Sequence, residues 1–140
     1  MKKEVLIKIK GIQVIDGEKS TTELFTLGNM YKKNDSYFLS YKESETTGFE
    51  GCNTILKIEG NEKVTLIRNG AMRSHLVAQQ GMRNIGYYDT IAGQVQIGTY
   101  TKSITNTLND EGGDVYFSYD LDINSSEVSE NEVYINVTRD

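Results

Sequence analysis

Proline and tryptophan are absent from the 140 residues, and cysteine and histidine occur once each. Without proline, turns and strand breaks must come from Gly, Asn and Asp. The single Cys52 excludes an intramolecular disulfide and fits a reducing compartment. The single His75 excludes a Cys/His metal set and any triad with a second histidine in reserve. Placed between Ser74 and Leu76, it reads as an exposed polar residue on a strand. Long apolar runs are missing too. The first of them, Val5-Leu6-Ile7, is interrupted at Lys8 and Lys10, which argues against a signal peptide and a membrane span and assigns the cytoplasm. No GxxxxGK[ST] loop, strand-linked GxGxxG or GxSxG elbow is found. Asp120-x-Asp122-x-Asn124 begins like a calcium loop, but Ser125 and Asn131 stand where the loop needs Gly and Glu. No metal, no cofactor and no catalytic residue is expected.

The net charge is −5, unevenly spread. Residues 109–140 hold nine acids and one base, Arg139, a net −8 against +3 for the remainder. An acidic end repels phosphate backbones, so a nucleic-acid partner is not expected. On alternating strands the same acids keep the outer wall solvated.

What the chain does have is apolar residues at every second position, the signal of a strand with one buried face. Val5, Ile7 and Ile9 alternate with lysines; Tyr37, Leu39 and Tyr41 with Ser36, Phe38 and Ser40. The same spacing runs through Thr54–Ile58, Val64–Leu66, Val95–Thr101 and Val133–Val137, and is cleanest from Val115 to Ile123. Asp16-Gly17, Gly60-Asn61, Ala92-Gly93 and the Asp110–Asp114 segment read as turns, and Asn69-Gly70 as a type I′ hairpin. Glu43 to Cys52 and Asn124 to Glu130 read as polar loops. No stretch shows a helical apolar face. The pattern predicts an all-β fold, a single domain over 1–140: an antiparallel meander of about ten strands closed into a barrel, since closure removes exposed edges.

Several segments together resemble the YwiB-like family of small bacterial proteins. They are Gly48-Phe49-Glu50-Gly51, Thr54-Ile55-Leu56-Lys57-Ile58, Val64 to Gly70, Tyr87-Tyr88-Asp89-Thr90-Ile91-Ala92-Gly93, and Tyr119 to Asn124. The resemblance runs in order over nearly the whole chain. It implies a calycin-like barrel in the lipocalin and fatty-acid-binding-protein style, and it implies no activity.

The candidate site consists of polar residues on otherwise inward faces. Period two places Arg68 with Val64 and Leu66, Ser74 with Leu76, Thr101 with Val95 and Ile97, Thr90 with Tyr88, and Tyr41 with Leu39. Arg68 ringed by Tyr, Ser and Thr hydroxyls would suit a small anionic or amphipathic ligand. Set against this, Arg68 adjoins Asn69-Gly70 and could reach water at the rim. A non-catalytic binding barrel is the first expectation. A side-chain-filled barrel with a structural or interaction role is the alternative. An enzyme is the weakest reading, because no nucleophile or acid–base pair assembles from the sequence. A homodimer is expected if Phe38, Phe49 and Ile91 group into one apolar rim.

Overall fold

The period-two segments become ten strands: β1 (Lys3–Ile15), β2 (Glu18–Lys33), β3 (Ser36–Lys42), β4 (Cys52–Glu59), β5 (Lys63–Gly70), β6 (Ser74–Gln79), β7 (Arg83–Thr90), β8 (Gly93–Asn106), β9 (Gly112–Ile123) and β10 (Ser126–Arg139). The computed structural model describes residues 2–43, 50–123 and 126–139. Each strand pairs antiparallel with the next, and β10 returns to β1, closing the barrel. Ile7 faces Val137 and Ile9 faces Ile135 across the closing seam. The described residues contain no helix, hence none long and apolar enough to cross a membrane.

The interior is layered, because register sets residues of like position side by side. Tyr37, Ile58, Val64 and Ala78 form one lateral row across β3 to β6. Leu39, Leu56, Leu66 and Leu76 form the next row towards the end that carries the β3–β4 and β5–β6 connections. Ile7, Met30, Leu39, Leu56 and Ile58 are sealed from solvent. Each such side chain contributes roughly 1.5–3 kcal/mol of burial free energy.

Two seams depart from a simple ladder. β2 pairs with β3 only from Gly28–Tyr41 to Lys33–Ser36, so its first ten residues are paired to β1 alone among the described strands. β6 and β7 share two pairs, Ser74–Tyr88 and His75–Tyr87. Beyond them Gln80 bridges to Thr101 of β8. Its side-chain amide donates to Lys102 O at 2.9 Å and accepts from Ile104 N at 2.8 Å. It thereby satisfies backbone groups of β8 beyond Arg83–Tyr100, where pairing with β7 ends. At the same seam β7 approaches β6 so closely that a Cβ on Gly86 would lie 2.1 Å from His75 O. Gly86→Ala is therefore expected to cost about 1–3 kcal/mol by overpacking. A lowered urea midpoint at unchanged m-value would register it, and an unchanged midpoint would mean that the seam yields freely.

Three expectations need correction. Asn69-Gly70 does not form a two-residue turn. Both remain in β5 opposite Asn53 and Cys52, and pairing with β6 begins only at Arg68–Ser74. Of the two, only Gly70 has a positive φ (131°), whereas a type I′ turn needs both. Glycine is needed there because a Cβ would sit 2.6 Å from Gly51 O. Next, residues 126–130 are strand rather than loop, with a bulge between Glu127 and Ser129. Ser129 and Asn131 are buried and satisfy each other, the Asn131 amide donating to Ser129 Oγ at 2.9 Å. Finally, the apolar rim does not assemble. Phe38 lies on the outer wall near the β2–β3 turn, stacked on Tyr31 at 4.8 Å. Ile91, 99% exposed, is in the β7–β8 turn at the opposite end of the barrel. Phe49 is outside the described residues.

Candidate functional site

One row further along than the leucines, the interior turns polar. Tyr41, Thr54, Arg68, Ser74 and Tyr88 lie directly opposite one another across β3, β4, β5, β6 and β7. They form a belt at the end of the barrel that carries the β3–β4 connection. The same parity that sends Tyr37, Leu39 and Tyr41 inward continues one step past β3 and brings in Glu43, 7% exposed. Its Oε2 accepts from Arg68 Nε at 3.2 Å and Nη2 at 3.1 Å, and from the Thr54 hydroxyl. Arg68 Nη1 reaches Ser74 Oγ at 3.5 Å. The side chains of Arg68 and Glu43 are 10% and 1% exposed, so this is a buried ion pair with its own hydrogen-bond shell.

Below the belt is a cavity of about 220 Å³. Leu56, Leu66, Leu76 and Phe117 belong to its apolar wall, as do Leu24 and Ile135. Glu43, Arg68, Tyr41, Tyr88 and Tyr119 border it at the polar end. Burial pushes all three phenols up from 10.0: Tyr41 also through the charge of Glu43, Tyr119 also through Tyr88, and Tyr88 against an opposing pull from Arg68. All three are therefore neutral O–H groups at neutral pH. Tyr41 hydrogen-bonds with Thr54 and Glu43. For Tyr88 and Tyr119 no protein hydrogen-bond partner is found among the described residues, and both rings border the cavity.

The residues singled out from the sequence fall into three groups. Arg68, Ser74, Tyr88 and Tyr41 share the belt. Thr101 is buried with no partner for its hydroxyl among the described residues, but it does not border the cavity. Its backbone instead receives the β6–β7 turn, with Gly81 N donating to Thr101 O at 2.9 Å. Thr90 is exposed and closes its own turn, donating to Gly93 O at 2.7 Å and accepting from Ala92 N. Three residues of the polar end escaped sequence reasoning: Thr54 in the belt, and Glu43 and Tyr119 beside it. Glu43 lies in the β3–β4 connection, as expected, yet it keeps the inward parity of Tyr37–Tyr41. Tyr119 reads as core in the Val115–Ile123 alternation, which does not show that its ring borders the cavity.

Outside the barrel, the acids of the calcium-like segment hold cations of the protein itself. Asp120 pairs with Lys102 at 3.1 Å and Asp122 with Arg83 at 2.6 Å. His75 is half-buried on the outer wall beside the Tyr87 ring. Cys52 is buried, its Sγ 3.3 Å from Met72 O.

The family model described as "Domain of unknown function (DUF1934)" matches residues 7–135. Among known proteins the chain is similar to the "Uncharacterized beta-barrel protein YwiB" of Bacillus subtilis (strain 168), with 30% identity over 125 residues, 88% of this chain and 86% of that protein. The crystal structure of ywiB protein from Bacillus subtilis superposes with a TM-score of 0.88 over 99% of this chain and 93% of that one, at 24% identity. At that identity the superposition shows the shared barrel.

Proposed function

This chain belongs to the DUF1934 family, and we propose that it is a non-catalytic barrel that holds a small amphipathic molecule in its interior. The observation that carries this reading is the cavity itself: about 220 Å³, apolar along its walls and polar at one end. An interior filled by side chains would leave no such space, because protein cores pack with few voids larger than a water molecule. The volume lies between the roughly 150 Å³ that an engineered apolar cavity uses to bind benzene and the roughly 300 Å³ at which ordinary ligand pockets begin. It suits a molecule of roughly eight to fourteen non-hydrogen atoms, for which a Kd in the micromolar to millimolar range is expected.

The test is ligand-observed NMR with a panel of single-ring amphiphiles, on wild type and on Ala78→Trp. Ala78 borders the cavity and is buried, so the indole should fill the space. Saturable binding by wild type, lost in a variant that keeps its β circular dichroism, is the expected result. Ala78→Leu provides a smaller block should the indole overpack the barrel. Binding that survives both substitutions, or none by wild type at any soluble concentration, overturns the reading.

A further inference from the structure

The belt has a direction, and its charge balance defines what kind of head group the cavity accepts. Along the row Tyr41–Thr54–Arg68–Ser74–Tyr88, Glu43 and Arg68 form an ion pair laid across the strands. The carboxylate end is enclosed by donors: Thr54 and two guanidinium nitrogens converge on Oε2, and Tyr41 hydrogen-bonds to the same group. The guanidinium end extends the other way, towards Ser74. Row order places Tyr88 on the guanidinium side, opposite Ser74, and Tyr41 on the carboxylate side, opposite Thr54; Tyr88 and Tyr119 pack against the same core cluster. The cavity is bordered by both members of this neutral pair and by two neutral phenols that can donate, Tyr88 lying on the guanidinium side.

Net charge decides the rest. Glu43 already neutralises Arg68, so a full anion entering the cavity would be an uncompensated buried charge, which is costly. An ammonium head would be uncompensated in the same way. An uncharged acceptor such as a ketone, amide or ester carbonyl takes hydrogen bonds from the phenols and brings no net charge. From this juxtaposition of an oriented ion pair, two cavity-facing phenols and an apolar chamber, we infer that the ligand is a neutral carbonyl-bearing amphiphile rather than an anion. The inference rests on the binding-barrel reading and narrows it.

A head-group series on one ring separates the two claims. Ethylbenzene, acetophenone, benzoate and benzylamine are titrated at pH 7 into wild type and into Tyr88→Phe/Tyr119→Phe, with binding followed by ligand-observed NMR. Acetophenone is expected to bind wild type about tenfold tighter than benzoate or benzylamine, and to lose about that factor in the double variant. Ethylbenzene should bind both proteins equally. Benzoate binding as tightly as acetophenone, or acetophenone binding that ignores the loss of both hydroxyls, overturns the head-group assignment while leaving the container intact. Failure of all four compounds, ethylbenzene included, overturns the container as well.

Discussion

Glu43→Ala is expected to destabilise the protein by about 3–5 kcal/mol, the usual consequence of removing one member of a buried ion pair. The cost comes from what remains. Arg68 is 10% exposed in its side chain and would keep its charge without the carboxylate that receives Nε and Nη2. Thr54 would lose its acceptor at the same time. Arg68→Ala should cost a similar amount, because it removes the cation that neutralises the buried carboxylate. The double variant Glu43→Leu/Arg68→Met should recover most of the loss, since well-packed apolar replacements of a buried pair are often neutral or stabilising. Urea midpoints followed by tyrosine fluorescence give the comparison. Single variants that lose less than about 1 kcal/mol, as exposed pairs do, would mean that the belt is open to bulk water. A double variant no better than the singles would mean that the pair contributes something its apolar replacement cannot.

Above pH 10 stability should fall steeply. Tyr41, Tyr88 and Tyr119 have folded-state pKa values raised above 10.0, first of all by burial. In the unfolded chain these phenols ionise near 10.0, while the folded protein keeps them protonated. The unfolded state therefore binds fewer protons above that pH, and unfolding becomes easier as pH rises. Below 10 the contribution is fully present; above it each tyrosine removes about 1.4 kcal/mol per pH unit until its folded-state pKa is reached. With three such groups acting together, the protein should unfold within a narrow alkaline interval. Phenolate absorbance should show a fraction of the tyrosines titrating only at the unfolding transition. A smooth titration of all of them as free phenols, with the fold intact, would place water in the belt. Tyr119→Phe should shift the alkaline transition upwards by removing one of the three.

The wall of the barrel was legible because strand parity is a local property. Val115 to Ile123 and Val64 to Arg68 could be assigned inward and outward from alternation alone, and the structure keeps those faces. The polar belt was legible in part for the same reason, since Arg68 inherits its direction from Val64 and Leu66. What alternation could not show is where a strand stops. Glu43 does lie past the end of β3, but a charged residue after Lys42 carries no hydropathy signal to show that it keeps the inward parity of Tyr41. Ser129 and Asn131 disappeared in the same way: two polar side chains that satisfy each other inside look like two that face water. Asn69-Gly70 misled for the opposite reason. Its local turn preference is strong, but the approach of Gly51 to Gly70 set the geometry. The cavity was beyond reach, because empty volume depends on how side chains from opposite walls meet.

The seam between β1 and β10 has a consequence for how the barrel is made. Residues such as Ile9 and Ile135, adjacent in the finished wall, are joined by nearly the whole length of the strand meander. Each hairpin from β1–β2 to β9–β10 can form from neighbours in sequence, but the closing ladder carries the largest loop-closure entropy. Until it forms, β1 offers one free edge and β10 another, and the acidic outer face of β10 (Glu130, Glu132) is then a safeguard against edge-to-edge pairing with a second nascent chain. The charge that crowds into residues 109–140 thus protects the protein during the interval when it is a sheet and not yet a barrel.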